Sequence, residues 1–536
     1  MPRLLNVHSP SDRSRRLPSY HLHPLSLIDK MYGPSVLRWL AVAMVALVPM
    51  AVVGNVALPQ NDPFYYPPKG WQNKQPGDIL RSRKIQAASV GAIPFHLYSW
   101  QVLYRSNANS PNEPSYTVTT ILVPHGADKS KLVAFSSPEN AVASKCAPSH
   151  LFRYTGVLDL NNFEPRWEQL LYLTFLEEGW VITAPDHEGP NNAFGAGRSG
   201  AHMVLDAIRA TLKHKEVGMS KNAQVIGHGY SGGAVPNGWA AGLQPHYAPE
   251  LNMAGWSLGG TPADMNMTTN FLNGGVSAGI VIGGVTGLMN AYPEVNKTFY
   301  EKIFTKAGLE AAETARNECI YELVFRFYFA DFMGDKYTKN ATPWDSHSAI
   351  RNVYNELRMG ANPKFTPKAP VFMFHAAYDE EIVWYQANNT AVWWCNNGAN
   401  IRFLTETSTD MNHVYTYLTN VPYIFNFMKD RFDGKPYYGG GCQFDTMAQD
   451  PIFDPSILGE RFKELMQSLL DLIGKEIGPG DKILRQKIKE KKNPNRVGLV
   501  HIPALKVHGL TSGEGGNKTI AAKAKANSKG HHSKSH

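Results

Sequence analysis

The stretch Ala223-Gln-Val-Ile-Gly-His-Gly-Tyr-Ser-Gly-Gly-Ala234 decides the fold. An apolar run, residues 223–227, leads into Gly229-Tyr230-Ser231-Gly232-Gly233, and a segment able to form a helix follows. A serine between close glycines at a strand-to-helix junction is the layout of a nucleophile elbow. The serine hydroxyl stands clear of the sheet in a strained turn. Side chains at the flanking positions would strike the neighbouring strand and helix, so hydrogen alone fits there.

Outward from the elbow, apolar β-rich runs bounded by turn residues recur at 116–123, 132–136, 180–184, 369–375 and 401–407, and helical spacing recurs at 167–178 and 201–214. Alternation of this kind predicts an α/β fold with a mostly parallel sheet covered on both faces. The alternation breaks between 261 and 367, where helical patterns surround a Gly-rich apolar run at 274–288. That region reads as a helical cap (lid) inserted into the sheet domain, and its apolar run reads as core packing, as pocket lining, or as both. The expected organisation is an N-terminal extension and signal (1–57), a first part of the core (58–260), the cap (261–367), a second part of the core (368–490) and a basic low-complexity tail (491–536). The tail buries too little apolar surface to offset chain entropy and is expected to be disordered.

The formal charge of +8 belongs to the ends. Residues 482–536 carry thirteen Lys and Arg against two Asp and Glu, and residues 1–57 carry six against two. The body between them is net acidic, which argues against nucleic acid as a partner. The apolar run at 38–53 starts on Arg38, contains Pro49 and is short for a membrane span. It suits a signal sequence counted from Met31, or an uncleaved anchor, and no stable transmembrane span is expected. Four cysteines, Cys146, Cys319, Cys395 and Cys442, fit a secreted chain with two disulfides in any of three connectivities. Sequons at Asn266, Asn296, Asn340, Asn388 and Asn517 are compatible with an extracellular glycoprotein. No Cys-x-x-Cys spacing supports a metal site.

A serine hydroxyl needs a base, and the base needs a carboxylate to orient it. In an α/β-hydrolase these follow the serine in the order acid, then histidine. Asp379 stands after the run 369–375 and a small-residue turn, where it acts as the acid or caps the helix that follows. His413 lies on the loop after 401–407 and supplies the base; Asp410 on that loop is a weaker acid. His187, His228, His246 and His375 precede the acid, and His228 reads as packing beneath the elbow. The oxyanion needs two donors. The backbone N–H of Gly232 is one, and the loop 137–140, ending in Asn140, offers the second.

With these residues in place the chain resembles the fungal secretory lipases of the lipase A type. The likeness runs from Asp62-Pro-Phe-Tyr-Tyr-Pro-Pro68 and Pro76-Gly-Asp-Ile-Leu-Arg-Ser-Arg83, through Cys146-Ala-Pro-Ser149 and Gly179-Trp-Val-Ile-Thr-Ala-Pro-Asp-His-Glu-Gly189, to the elbow, Asp379-Glu380 and Cys442. It implies an α/β-hydrolase with a helical cap and a C-terminal flap, Ser231, Asp379 and His413 as the triad, and disulfides Cys146–Cys319 and Cys395–Cys442. It implies an acidic second oxyanion residue where this chain has Asn140, after Glu139. Asp186, His187 and Glu188 are expected to buttress the site. The function expected is secreted ester hydrolysis without metal or organic cofactor. The substrate is a lipid ester such as a triacylglycerol, met at an oil–water interface by a monomer. The alternatives are a carboxylesterase for small acetylated natural products and an inactive hydrolase-fold binding protein.

Overall fold

The apolar runs become strands of one mixed sheet in the computed structural model, which describes residues 56–156, 163–409, 411–437, 441–448, 477–478 and 500–501. Its strands are β1 (Ile79–Lys84), β4 (Tyr98–Asn107), β5 (Pro114–Val123), β6 (Asp128–Ser136), β7 (Trp180–Pro185), β8 (Gln224–Tyr230), β9 (Met253–Gly259), β10 (Val371–Ala376), β11 (Ile401–Glu406), β12 (Cys442–Met447) and β13 (Val500–His501), with β2 (Ala88–Ser89) and β3 (Ile93–Pro94) in a separate hairpin. The spatial order is β1-β4-β5-β7-β6-β8-β9-β10-β11-β12-β13. Strands β7, β6, β8, β9, β10, β11 and β12 run parallel to their neighbours in that order. The reversal at β6, between β7 and β8, makes a crevice at the carboxyl ends of the strands, where ligands bind in such sheets.

Burial on both faces explains the unalternating sequence of the central strands. Val225, Val371 and Met373 pack into a core with Ala201, Val204 and Trp239 from the helices Gly197–Lys213 and Ala234–Tyr247. Their neighbours Ile226, Phe372 and Phe374 point the other way, into a core with Leu171, Phe175, Phe425 and Met428 from the helices Phe163–Leu176 and His413–Phe432. Between β9 and β10 the chain forms six α-helices, from Met265–Leu272 to Ser348–Glu356, and no strand of the sheet. They have a core of their own, around Ile282, Phe299, Phe304, Leu323 and Trp344.

Two features depart from the sequence reading. The sheet is antiparallel at one edge, through β1, β4, β5 and β7. Strand β4 went unread because Gln101, Arg105 and Ser106 interrupt its apolar residues, yet all three are buried. The second is β13, which pairs with Asp445 and Thr446 inside the tail expected to be disordered; backbone pairing to an open edge does not require an apolar side-chain pattern. The rest of 491–536, the signal run 38–53 and Asn517 lie outside the described residues. Among those residues no helix is long and apolar enough to cross a membrane.

The four cysteines pair as the resemblance implies. Cys146–Cys319, with Cα atoms 5.8 Å apart, ties the loop after β6 to the start of the helix Ile320–Arg326. Cys395–Cys442, at 6.0 Å, ties the helix Trp384–Asn396 to β12. Closing a loop across 173 residues removes much of the freedom of the unfolded chain. Replacing Cys146 and Cys319 together by alanine is expected to lower stability by about 2–4 kcal/mol, read from guanidinium unfolding of the two proteins side by side.

Candidate active site

Strand β8 ends at Tyr230, a 3-10 turn holds Ser231–Gly233, and the helix Ala234–Tyr247 begins at once. Ser231 has φ 51°, in the left-handed region, where a residue other than glycine is strained by about 1–3 kcal/mol. A Cβ on Gly229 would overlap the Gly233 carbonyl, and one on Gly233 would overlap that of Ser136, both well inside 3.0 Å. Those two positions pass the chain through the turn only as glycines. Asn140 also has a positive φ, 50°, which asparagine tolerates better than most residues. It sits over Gly232, whose missing Cβ would fall on Asn140 Oδ1. The loop after β6 and the turn after β8 therefore meet where a second oxyanion donor belongs.

Asp379 lies on the loop after β10 and His413 at the start of the helix His413–Phe432, just beyond β11. Asp379 Oδ2 accepts from His413 Nδ1 at 2.7 Å and stands 3.3 Å from His375 Nε2. Its Oδ1 accepts from the backbone N–H groups of Glu381 (2.9 Å) and Ile382 (2.8 Å). Burial pushes the Asp379 carboxyl up, but the His413 charge and the bonds from His375 and His413 outweigh it and hold it far below the usual carboxylate range. Burial pushes His413 down; Asp379 outweighs this, Glu381 and Glu380 add to it, and the imidazole is raised to about 10. The backbone N–H of His413 donates to Glu380 Oε2 at 2.9 Å, and the Tyr230 hydroxyl donates to the His413 carbonyl at 2.5 Å. The residue before Ser231 thus fixes the backbone of His413. His413 Nε2 has no hydrogen-bond partner among the described residues, with Glu381 Oε2 3.9 Å away. Asp410 lies outside the described residues. His228 is buried beneath the elbow, its Nε2 3.1 Å from the Tyr417 hydroxyl.

A pocket opens on Ser231, lined by Asn140, Gly232, Met265, Leu272, Gly284 and Leu288 among others. The helix Gly279–Ala291 supplies one wall, and it divides the two readings of run 274–288. A Cβ on Gly284 would stand 3.8 Å from Phe194, in ordinary van der Waals contact and without a clash. One on Gly279 would collide with the backbone of Leu323, so that end of the helix is packed core.

Behind the oxyanion loop lies a buried group of Glu139, His187 and Glu188, whose donor atoms are within 4.8 Å of one another. Asp186 adjoins it and accepts from the Ser149 backbone (2.7 Å) and hydroxyl (2.6 Å). Burial raises Glu139 strongly, and the charges of Glu188 and Asp186 add to the shift. Burial raises Glu188 too, with Asp186 adding and the N–H groups of Ala141 and Asn140 opposing. Burial raises Asp186 to about 7 against its bonds from Ser149, and lowers His187 to about 4 against a backbone bond at Pro185. A group this deep must be neutralised, by protons on its carboxyls or by a cation they would hold. The side chain of Asn140 is the part of that residue against Gly232, with Oδ1 nearest and Nδ2 3.4 Å from where a Gly232 Cβ would stand.

Residues 157–440 match the family model of secretory lipases. The chain is 52% identical over 514 residues to a secreted triacylglycerol lipase of Malassezia restricta, covering 94% of this chain and all of that one. It is 51% identical over 495 residues to one of Malassezia globosa, covering 92% and 86%. The chain belongs to the secretory lipase family. That membership makes it a secreted hydrolase of carboxylic esters. Among solved structures, Candida antarctica lipase A in its closed state is similar at TM-score 0.67 and 27% identity, over 80% of this chain and 99% of that one. A rice cell wall degrading esterase of Xanthomonas oryzae, at 0.52 and 15%, shares the α/β-hydrolase fold.

Two site features escaped sequence reading. Glu381 lines the pocket and faces His413; its place two residues after Asp379 was the available signal. Phe194 lines it from the loop after β7, with no pattern to mark it.

The carboxyls behind Asn140 set a pH window. Unfolded carboxyls titrate near about 4, and a group raised in the folded state keeps its proton beyond that. Its contribution to stability is complete below the unfolded value and is lost as pH rises through the folded one, about 7 for Asp186. The carboxyls of the cluster therefore pull the melting temperature down between about pH 4 and 7, while His187, lowered to about 4 from an unfolded value of about 6.5, pulls it up over the lower part of that range. Glu188→Gln, which cannot ionise, should give a shallower fall and a higher melting temperature at the alkaline end. Equal slopes for the two proteins in scanning calorimetry would remove this cluster as the cause.

Proposed function

We propose that Ser231, His413 and Asp379 hydrolyse lipid esters through an acyl-enzyme, with Gly232 and Asn140 stabilising the oxyanion. The observation that carries this reading is the buried 2.7 Å Asp379–His413 pair, bonded through Tyr230 to the strand that leads into the elbow serine, with that serine lining an apolar pocket. Ser231 Oγ attacks the ester carbonyl carbon and its proton passes to His413 Nε2. The Gly232 N–H and the Asn140 amide receive the negative oxygen. When the ester C–O bond breaks, the same proton passes to the leaving alcohol. Water then repeats the sequence on the acyl-enzyme and releases the acid. Asp379 orients the neutral imidazole, stabilises the imidazolium each time it forms, and stays ionised.

The substrate class follows from the relatives' triacylglycerol lipase activity and from the surface beside the pocket. Phe271 extends from the helix whose Met265 and Leu272 line it and is 46% exposed. Phe325 and Phe329, at 49% and 54%, belong to the same helical insertion, and the Phe329 N–H bonds the Gly275 carbonyl. Tyr378 and Tyr385 flank the loop of Glu381 and Ile382 at 60% and 49%. Large exposed aromatics around an apolar opening suit an oil–water interface. In this reading the insertion 261–367 is the cap through which acyl chains reach Ser231.

Ser231→Ala is expected to lower turnover by about 10⁶-fold with secretion unchanged. Asp379→Asn and His413→Ala should each lose most activity, and combining either with Ser231→Ala should add little, since groups acting as a unit are not additive. Near-wild-type turnover in Asp379→Asn would assign the acid elsewhere.

Gly284→Phe is expected to lower activity on long-chain esters more than on acetyl esters, at nearly unchanged melting temperature. Gly279→Phe, by contrast, should destabilise the fold by about 1–3 kcal/mol of overpacking and reduce all substrates together. An acyl-length series with the purified wild type supplies the baseline, and activity confined to acetyl esters there would overturn the lipid reading.

A further inference from the structure

The pocket beside Ser231 carries an acidic side chain that ester hydrolysis does not use. Glu381 lines it next to Ile382, Met265 and Leu272, and its side chain is only 18% exposed. A carboxylate among apolar groups is costly unless something bonds it. One oxygen is held: Oε1 accepts from the hydroxyl of Ser277, just ahead of the helix Gly279–Ala291, at 3.0 Å. The other, Oε2, stands 3.9 Å from His413 Nε2, and His413 is its only ion-pair partner among the described residues.

That position has a chemical meaning. His413 Nε2 gives its proton to the leaving alcohol. The carbonyl oxygen lies on the other side, against Gly232 and Asn140. A group beside Nε2 therefore borders the alcohol part of the ester. A carboxylate has acceptors and no donor. It bonds a free hydroxyl on the carbon adjacent to the one that bears the scissile oxygen. A fully esterified polyol presents ester oxygens at that place, which are acceptors too and face the carboxylate unfavourably. Ser277 aims Oε2 at this spot by holding Oε1.

We propose that Glu381 is a hydroxyl-recognising subsite for the leaving alcohol, so that this enzyme cleaves esters bearing a free hydroxyl beside the scissile oxygen, partial glycerides among them, in preference to fully esterified ones. The inference rests on the Ser231–His413–Asp379 reading above. A hydroxyl bonded to Oε2 also relieves the pull of Glu381 on the His413 proton, which Asp379 and Glu380 share and against which the Tyr230 ring lies, 5.0 Å between ring centres.

The test uses 2-hydroxyethyl octanoate and propyl octanoate, which differ by one hydroxyl in place of a methyl group. The wild type is expected to favour the hydroxy ester in kcat/KM by about tenfold, the size of one hydrogen bond to a charged group. Glu381→Leu should abolish the preference, Glu381→Gln should keep part of it, and Ser277→Ala should weaken it. In Glu381→Leu the acid limb of kcat/KM for the propyl ester should also move to lower pH, a change that a merely structural role would not produce. No preference in the wild type, or the same preference in wild type and Glu381→Leu, overturns the proposal; should Glu381→Leu fail to fold, by melting temperature, Glu381→Gln decides it in the same way. Fluorophosphonate labelling of the wild type at Ser231 separates the two levels of the argument. Its absence there defeats the triad reading, whereas labelling without ester preference defeats the subsite alone.

Discussion

Everything in this molecule that bears on chemistry is arranged around the ion pair of Asp379 and His413, sealed from solvent. Such a pair is held only if each partner's remaining polar atoms are satisfied. The structure does this for the carboxylate with two backbone N–H groups and His375, all from its own strand and turn. For the histidine it fixes the backbone, bonded by Glu380 and by the hydroxyl of Tyr230, and leaves ring Nε2 without a hydrogen-bond partner among the described residues. Tyr230 is the residue before Ser231. One side chain thus couples the strained serine turn to the position of its base, which is why β8 and the helix after β11 must pack together before the site exists.

The central sheet, the elbow and the positions of Asp379 and His413 were legible because each depends on local punctuation: an apolar run, a turn, then a polar residue. Strand ends carry that signal within a few residues of chain. The antiparallel edge was not legible, because β4 buries Gln101 and Arg105, bonded to Ser149 and Asn107, and tertiary hydrogen bonding removes the polar alternation that marks a strand. The run 274–288 shows a different limit. Gly279 and Gly284 are five residues apart, about 140° around a helix, and face different surroundings. A run of glycine and aliphatic residues has no period from which to read that difference. Family resemblance supplied the disulfide pairing, which spacing leaves open among three connectivities.

The oxyanion side is backed by a buried acidic group. Glu139, Asp186 and Glu188 lie behind Asn140 with only His187 among them, itself held neutral by burial. Their mutual proximity favours retained protons, and a protonated carboxyl can donate where a carboxylate cannot. Asparagine at 140 needs no proton to donate its amide. The pH sensitivity of this side of the site therefore falls on the scaffold behind the donor and spares the donor itself.

The helical insertion is joined to the loops of Asn140 and of Glu381, which in the proposed reaction border different parts of the ester. Cys146–Cys319 fixes it to the loop that carries Asn140, on the side where the carbonyl oxygen gathers charge. Ser277 fixes it to Glu381, on the side where the alcohol departs. Between these anchors the helix Gly279–Ala291 lies along the pocket wall. A covalent link does not yield to substrate, whereas a single hydroxyl–carboxylate bond is worth only about 1.5–3 kcal/mol. Ser277 is one of several such bonds across this seam, with Thr268 donating to Gln386 at 3.0 Å and Asn290 to the Asn191 carbonyl at 3.0 Å. The proposed oxyanion side is thus joined to the insertion covalently and the proposed alcohol side by hydrogen bonds, the weaker of the two links.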